Sequence, residues 1–365
     1  MRLKPKILDL YISKKFIGTF FVALLLIIGI VIIFDISEKI DDFVENEAPL
    51  KAIIVDYYCN FIPYFMNMFS PLFVFLTVIF FTSKLAGNSE IIAMLAGGIS
   101  FKRLMVPYMF SAAIIALFSL TLNLLIIPHA NKERIAFESE YIKGKRYYNS
   151  GRDIHYQIAP GEFVYVESFS TWNNTAFRFT LESIKDNRLA SKVSAESATW
   201  DSTKGCWTLK KYFIREYDEM MNDRIVRSGK QMDTVIALTV SDFYMRENTV
   251  ETLSYKELNE LIRVQKMRGD KNVQYAQIEK HERLSLPFSA FILTIMGVSL
   301  SSKKRRGGIG LNLGVGIALS FSYILFMRFS EMFVYTDTLP PGIAMWVPNI
   351  LYAFIAAFLY RIAPK

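Results

Sequence analysis

The sequence predicts a polytopic α-helical membrane protein of six transmembrane helices, arranged three plus three around an inserted all-β domain of jelly-roll or sandwich type. Uncharged runs at residues 16–34, 57–82, 104–127, 284–302, 307–327 and 338–360 each reach the roughly 20 residues that a helix needs to cross a bilayer. Between the third and fourth runs the chain turns polar and alternates with period two, the pattern of strands with one buried face. Lys and Arg crowd alternate connections, which orients the whole.

Taken in order, Arg2, Lys4, Lys6, Lys14 and Lys15 precede the first run. That run resembles a signal peptide by position, but it is longer than the usual apolar core of one, and Asp35-Ile36-Ser37-Glu38 follows it in place of a small-residue cleavage site, so a retained span is expected. Lys84, Lys102 and Arg103 flank the connection after the second run, Lys303, Lys304, Arg305 and Arg306 fill the one after the fourth, and Arg361 and Lys365 follow the last. The positive-inside rule therefore puts both termini in the cytoplasm. The acidic connection 35–56, the short one around Asp337 and the β domain fall on the outer side. The expected division is 1–127 for the first transmembrane half, 128–253 for the β domain, 254–283 for a helical connector and 284–365 for the second half.

Within the β domain, strands are expected at 154–158, 163–166, 177–181, 193–200 and 207–217, with more through Ile225-Val226 and 234–240. Pro160-Gly161, Asp186-Asn187 and Lys204-Gly205 mark turns between them. Tyr165, Phe179, Trp200 and Trp207 read either as ordinary core or as the wall of an apolar groove for a lipid chain. Ser254-Tyr255-Lys256-Glu257 is a capping box with Leu253 and Leu258 as its staple, so a helix starts there. Gly269-Asp270 breaks it, and a second, polar helix from about Val273 leads through His281, Glu282 and Arg283 into the fourth span at Pro287.

Composition excludes several function classes. The net charge of +8 and pI near 9.2 would suggest nucleic acid in a soluble chain, but here the surplus sits at membrane edges, and no nucleic-acid partner is expected. Two cysteines, Cys59 and Cys206, give no disulfide framework. The three histidines are scattered, no metal-ligand spacing occurs, and neither a phosphate-binding loop nor a Gly-x-Ser-x-Gly elbow is present. No catalytic or metal residue is assigned.

The segment between the second and third spans differs. Ser89, Glu90, Ile91, Ile92, Ala93, Met94, Leu95, Ala96, Gly97 and Gly98 predict a short cytoplasmic helix within about 88–98. Asn88 or Ser89 can cap it, Glu90 meets the positive end of its dipole, and the glycine pair stops it. Ile91, Met94 and Leu95 make an apolar face that needs a cover, either the membrane surface or a partner protein into which it inserts as a knob.

The string Ser-Glu-Ile-Ile-Ala-Met-Leu-Ala-Gly-Gly-Ile-Ser at 89–100, the span order with its β insert, the 281–287 entry, Pro340-Pro341 and Val347-Pro348-Asn349 resemble the LptF/LptG (YjgP/YjgQ) family of permeases over essentially the whole chain. The resemblance implies a lipopolysaccharide exporter of the Gram-negative inner membrane. In it a paralogous LptF/LptG-type permease completes a V-shaped cavity, a cytoplasmic LptB-type ATPase dimer docks on the Glu90 helix, and a single-span LptC-type periplasmic protein continues the β path. This chain would bind no cofactor; ATP and Mg would be used by the ATPase.

Phe34 and Phe326 are candidates for the cavity wall on spans one and five, and Lys39, Arg328 and Glu331 for its charged rim. For Arg328 and Glu331 a structural ion pair is the equal alternative. Lys39 stands among Glu38, Asp41, Asp42 and Glu45, a departure from the basic cluster that the family often carries there. Gly307-Gly308-Ile309-Gly310 and the Pro-Pro loop look more like the LptG type. Two other readings stay open: an ABC membrane protein that works a periplasmic partner without moving lipid, and an ion-driven secondary transporter. The absence of Asp and Glu from mid-membrane positions disfavours the latter.

Overall fold

The computed structural model describes residues 6–142, 152–170, 172–218, 222–243, 250–270, 272–303 and 308–363. Arg2, Lys4, Lys304, Arg305, Arg306, Gly307 and Lys365 lie outside the described residues. The chain divides into two units, one of Met1–Ile142, Glu251–Tyr255 and Gln277–Lys365, the other of Lys143–Val250 and Lys256–Ala276.

Among the described residues, six helices are long and apolar enough to span a membrane, all in the first unit but for the first turn of α7: α1 (Ile7–Glu45), α2 (Leu50–Gly87), α4 (Phe101–Ile142), α7 (Val273–Ser301), α8 (Gly308–Tyr335) and α9 (Pro341–Ile362). A short helix, α3 (Glu90–Ala96), joins α2 to α4. The start of α1 is set by Asp9, whose carboxylate accepts the Lys6 backbone N–H at 2.9 Å in the first turn. At 1.5 Å per residue its 39 residues extend about 58 Å, far beyond the roughly 30 Å of hydrocarbon, so the charged stretch after Phe34 continues the helix past the apolar run. Its buried positions Ile12, Phe16, Phe20, Leu24 and Ile28 repeat every four residues. One seam of α1 is therefore packed, while Leu25, Leu26, Ile33 and Phe34 are left exposed.

Helix α2 packs against α1, α4 and α8, and small residues let its neighbours close in. A Cβ placed on Gly297 of α7 would meet Val78 Cγ1 at 2.8 Å, and one on Gly316 of α8 would meet Ile79 Cδ1 at 2.5 Å. Gly297→Leu is expected to cost about 1–3 kcal/mol by overpacking, measured as unfolding of the purified chain in micelles. Gly314, with open space around its Cβ, is the control position at which leucine should change little. Buried polar side chains also tie helices together: Asn67 Nδ2 donates to Asn123 Oδ1 (2.8 Å), Asn312 Nδ2 to Ser83 Oγ (3.0 Å) and the Tyr323 hydroxyl to Asn349 Oδ1 (2.9 Å).

The second unit contains the inserted β domain. Six antiparallel strands, β1 (Arg152–Ala159), β2 (Glu162–Ser170), β3 (Thr175–Lys185), β4 (Arg188–Asp201), β5 (Cys206–Tyr217) and β6 (Asp223–Thr234), pair in chain order as one sheet. The order follows from the turns. Gly161, Asp186, Asn187 and Gly205 have positive φ, which closes the β1–β2, β3–β4 and β4–β5 hairpins tightly enough for those strands to be neighbours. Alternation buries Val164, Val166, Phe169, Phe179, Trp207 and Leu209 on one face.

The expected strand at 234–240 is absent beyond Thr234, although its alternation is real. Ile236 and Leu238 are buried and Val235 exposed, but this stretch covers the apolar face without joining the ladder. Its backbone is held there by Trp207 Nε1–H, which donates to the Leu238 carbonyl at 2.7 Å. Helix α5 (Val240–Phe243) follows, and Phe243 stacks on Phe169 with ring centroids 4.2 Å apart. Helix α6 (Tyr255–Arg268) starts directly after Ser254, buries Leu258, Leu261 and Ile262, and ends at Gly269 with φ +65°.

Candidate functional site

Helix α3 is short because it is bounded by backbone that cannot continue a helix. Ser89 adopts φ +63° between α2 and α3, and Gly98 adopts φ +85° after it. The expected side-chain cap is not formed; Asn88 Nδ2 instead donates to Glu90 Oε1 at 3.3 Å. The cover that Ile91, Met94 and Leu95 require comes from the chain itself. Ile91 is fully buried in the main membrane core, and Met94 and Leu95 pack against it. What α3 leaves open is the other side, Ile92, Ala93 and Ala96, with Gly97 and Gly98 beyond.

Two polar links tie α1 to α3 and to α4. The Tyr11 hydroxyl donates to Glu90 Oε2 (3.1 Å) and accepts from Lys15 Nζ (2.7 Å). Arg103 forms a bidentate pair with Asp9 at 2.7 and 2.6 Å, joining the first turns of α4 and α1. The surface that the segment leaves exposed is thus small-residue and weakly apolar. The pattern of apolar residues identified the helix; which face points outward depended on how Ile91, Met94 and Leu95 pack into the core of the unit.

Of the rim candidates, Lys39 lies in the last two turns of α1, and Arg328 and Glu331 in the last two or three turns of α8. Lys39 is committed to Asp35 Oδ1 (2.6 Å) and to the Tyr57 hydroxyl, while Tyr58 donates to Asp35 Oδ2 (3.1 Å). Phe34, next to Asp35, is 72 % exposed. On α8, Arg328 Nη1 donates to Glu331 Oε1 at 2.7 Å; the carboxylate is buried and the guanidinium about half exposed. Phe326 is partly buried on the same helix. Arg328 also interacts electrostatically with Glu282 of α7. The structure therefore places an ion pair at Arg328–Glu331 whose cation is only partly covered by the chain.

One residue of this region escaped assignment from the sequence. Arg283 is 3 % exposed. Its Nε donates to Glu279 Oε1 (2.6 Å), its Nη1 to the Leu253 carbonyl (2.7 Å) and its Nη2 to the Glu251 carbonyl (3.3 Å). The Glu251 carboxylate in turn accepts from Asn131 (3.1 Å) and lies 3.9 Å from Arg134 of α4. The segment by which the chain returns from the sheet to the bundle is thereby fastened to α7 and α4. Glu279 and Arg283 at i,i+4 were a legible half of this clamp; the two backbone carbonyls were not.

The four candidates in the sheet separate by environment. Phe179 and Trp207 are core residues, about 1 % exposed, and Trp200 packs edge-on to Trp207 with centroids 5.3 Å apart. Tyr165 faces away from that core, beside a cavity of about 530 Å³ that His155, Glu182, Lys192 and Arg268 also line. Its hydroxyl donates to Asp153 Oδ1 (3.0 Å), which raises its pKa above the ordinary tyrosine value.

Among the described residues, no three His, Cys, Asp or Glu side chains converge as a metal cage, and both cysteines are free. No curated relative matches the chain. The family model for the lipopolysaccharide export system permease LptF/LptG, which spans both paralogous types, matches residues 10–362. With six membrane helices around a β insert, the chain belongs to the LptF/LptG family of lipopolysaccharide export permeases.

Proposed function

We propose that this chain is one half of an ATP-driven permease that takes lipopolysaccharide from the outer leaflet of the inner membrane and passes it to the β domain on the periplasmic side. The observation that carries this reading is the uneven packing of the spans. In their most apolar stretches only 22 % of α1 and 28 % of α8 is buried within the chain, against 61 % for both α2 and α7. Val22, Leu26 and Phe34 on α1, and Phe321, Leu325 and Phe329 on α8, stay exposed. Faces of this kind suit a cavity shared with a second, related permease chain and filled by acyl tails, while Arg328 offers a cation to a head-group phosphate.

Energy would come from an ATPase dimer seated on the open side of α3, with both termini of this chain in the same compartment; ATP and Mg belong to that partner. A single-span protein with its own β fold would extend the lipid path. In the sheet, Ile236, Leu238 and Phe243 fill the apolar face that bears Phe179 and Trp207, so an acyl chain reaches those residues only when that segment is displaced.

Photocrosslinkers at Phe34, Leu26, Phe321 and Phe329 test the reading in proteoliposomes containing the assembled transporter. ATP-dependent adducts with lipopolysaccharide are expected at these positions, and phospholipid adducts alone at Phe358 of α9. Absence of lipopolysaccharide adducts with normal transport-linked ATPase would instead favour a protein that moves a periplasmic partner. Transport driven by an ion gradient in this chain alone would overturn both.

A further inference from the structure

Between α4, α7 and α9 lies a groove of about 700 Å³, separate from the α1 and α8 faces. Met105 and Met109 of α4 form one wall, Ile292 and Ile295 of α7 the floor, and Ala353 and Ala357 of α9 the other wall. The α9 alanines, with Ala356, fall at i, i+3 and i+4, so one helix face is reduced to methyl groups. The slot exists because that face lacks larger side chains; Phe354 and Phe358, on neighbouring positions, project outward instead.

One end of the groove is cationic. Lys102 and Arg361 line it there, both exposed, and among the described residues neither makes an ion pair or hydrogen bond. Their neighbour Arg103 shows the contrast, being locked to Asp9. Lys102 also occupies the first turn of α4, where the helix dipole opposes a cation. Tyr360, its ring tilted against Phe101 with centroids 5.5 Å apart, sits beside them with the amphipathic character of a membrane-interface residue. An apolar slot between spans that ends in two unpaired cations is complementary to a lipid with an acyl chain and an anionic head group.

We propose that this groove binds an anionic glycerophospholipid, its phosphate held by Lys102 and Arg361 and an acyl chain lying along Met105, Ile295 and Ala357. The lipid is a bound component and not the transported molecule: a groove of about 700 Å³ takes one or two acyl chains and has no room for the several of lipopolysaccharide. The site goes beyond the transport reading and depends only on the helices spanning a bilayer.

The test uses the purified transporter complex in nanodiscs of phosphatidylcholine carrying trace photoactivatable phosphatidylglycerol or, in a parallel arm, photoactivatable phosphatidylcholine. The phosphatidylglycerol probe is expected to label peptides containing Met105, Ile295 and Ala357, and the phosphatidylcholine probe at least about tenfold less. Lys102→Glu with Arg361→Glu should remove that preference. Where the reversed pair fails to assemble, Lys102→Gln with Arg361→Gln serves the same purpose. Ala353→Leu with Ala357→Leu, both at exposed positions, should fill the slot and abolish labelling with the charges intact. Equal labelling by the two probes, retention of the preference without the two cations, displacement by added lipopolysaccharide, or adducts showing a partner protein's helix in the groove would each overturn the proposal.

Discussion

Replacing Arg283 with methionine is expected to destabilise the membrane unit by about 3–5 kcal/mol, the usual cost of removing one partner from a buried ion pair. Three acceptors lose their donor at once: the Glu279 carboxylate and the carbonyls of Glu251 and Leu253. Only the first is a charge, which makes the outcome diagnostic. Arg283→Met combined with Glu279→Leu should recover part of the loss, because it removes the orphaned carboxylate but leaves both carbonyls unpaired. Arg283→Lys keeps a charge but lacks the planar fork that serves three acceptors in different directions, so an intermediate loss is expected. Denaturation of the purified chain in micelles checks the series. A loss below about 1 kcal/mol for Arg283→Met would mean that the clamp contributes little.

The second large effect is expected at Glu90. Glu90→Lys should reduce the ATPase retained on the purified permease by about 30-fold or more, corresponding to the roughly 2 kcal/mol or greater cost of removing one member of a buried interfacial charge pair. The structure adds a confounder, since Glu90 also accepts from Tyr11 within the chain. Tyr11→Phe removes that internal contact and leaves the carboxylate for a partner. Retention of the ATPase by Tyr11→Phe together with its loss in Glu90→Lys would assign the effect to the interface. Equal loss in both would assign it to the seating of α3. Unchanged ATPase retention and transport in Glu90→Lys would sink the coupling role.

Much of the architecture was legible because its signals are local. Six uncharged runs and a period-two insert depend only on residue type and spacing, and the α6 start at Ser254 and stop at Gly269 follow from capping and backbone freedom. Residues 234–240 show where such signals run out. Alternation specifies that Ile236 and Leu238 face an apolar surface, but hydrogen bonding to a neighbouring strand is a separate condition that the alternation does not encode. Likewise the apolar face of α3 was visible, while its burial against the chain's own core was not.

Lys39 carries the same lesson for charge. In the sequence it is a lone cation in an acidic stretch; in the fold Asp35, one turn back, and Tyr57 of α2 occupy its ammonium. Arg283, which the sequence shows only as a charge on the way into a span, has all three guanidinium nitrogens engaged in the fold. The sequence by itself determined how many times the chain crosses the membrane, where the β domain is inserted and where the short α3 helix lies, because hydrophobic length and periodicity are properties of adjacent residues. The tertiary structure alone decided which faces of α1 and α8 are left open, which side of α3 is exposed, and which cations are already paired. Those outcomes arise where residues far apart in the chain compete for the same apolar surface and the same carboxylates.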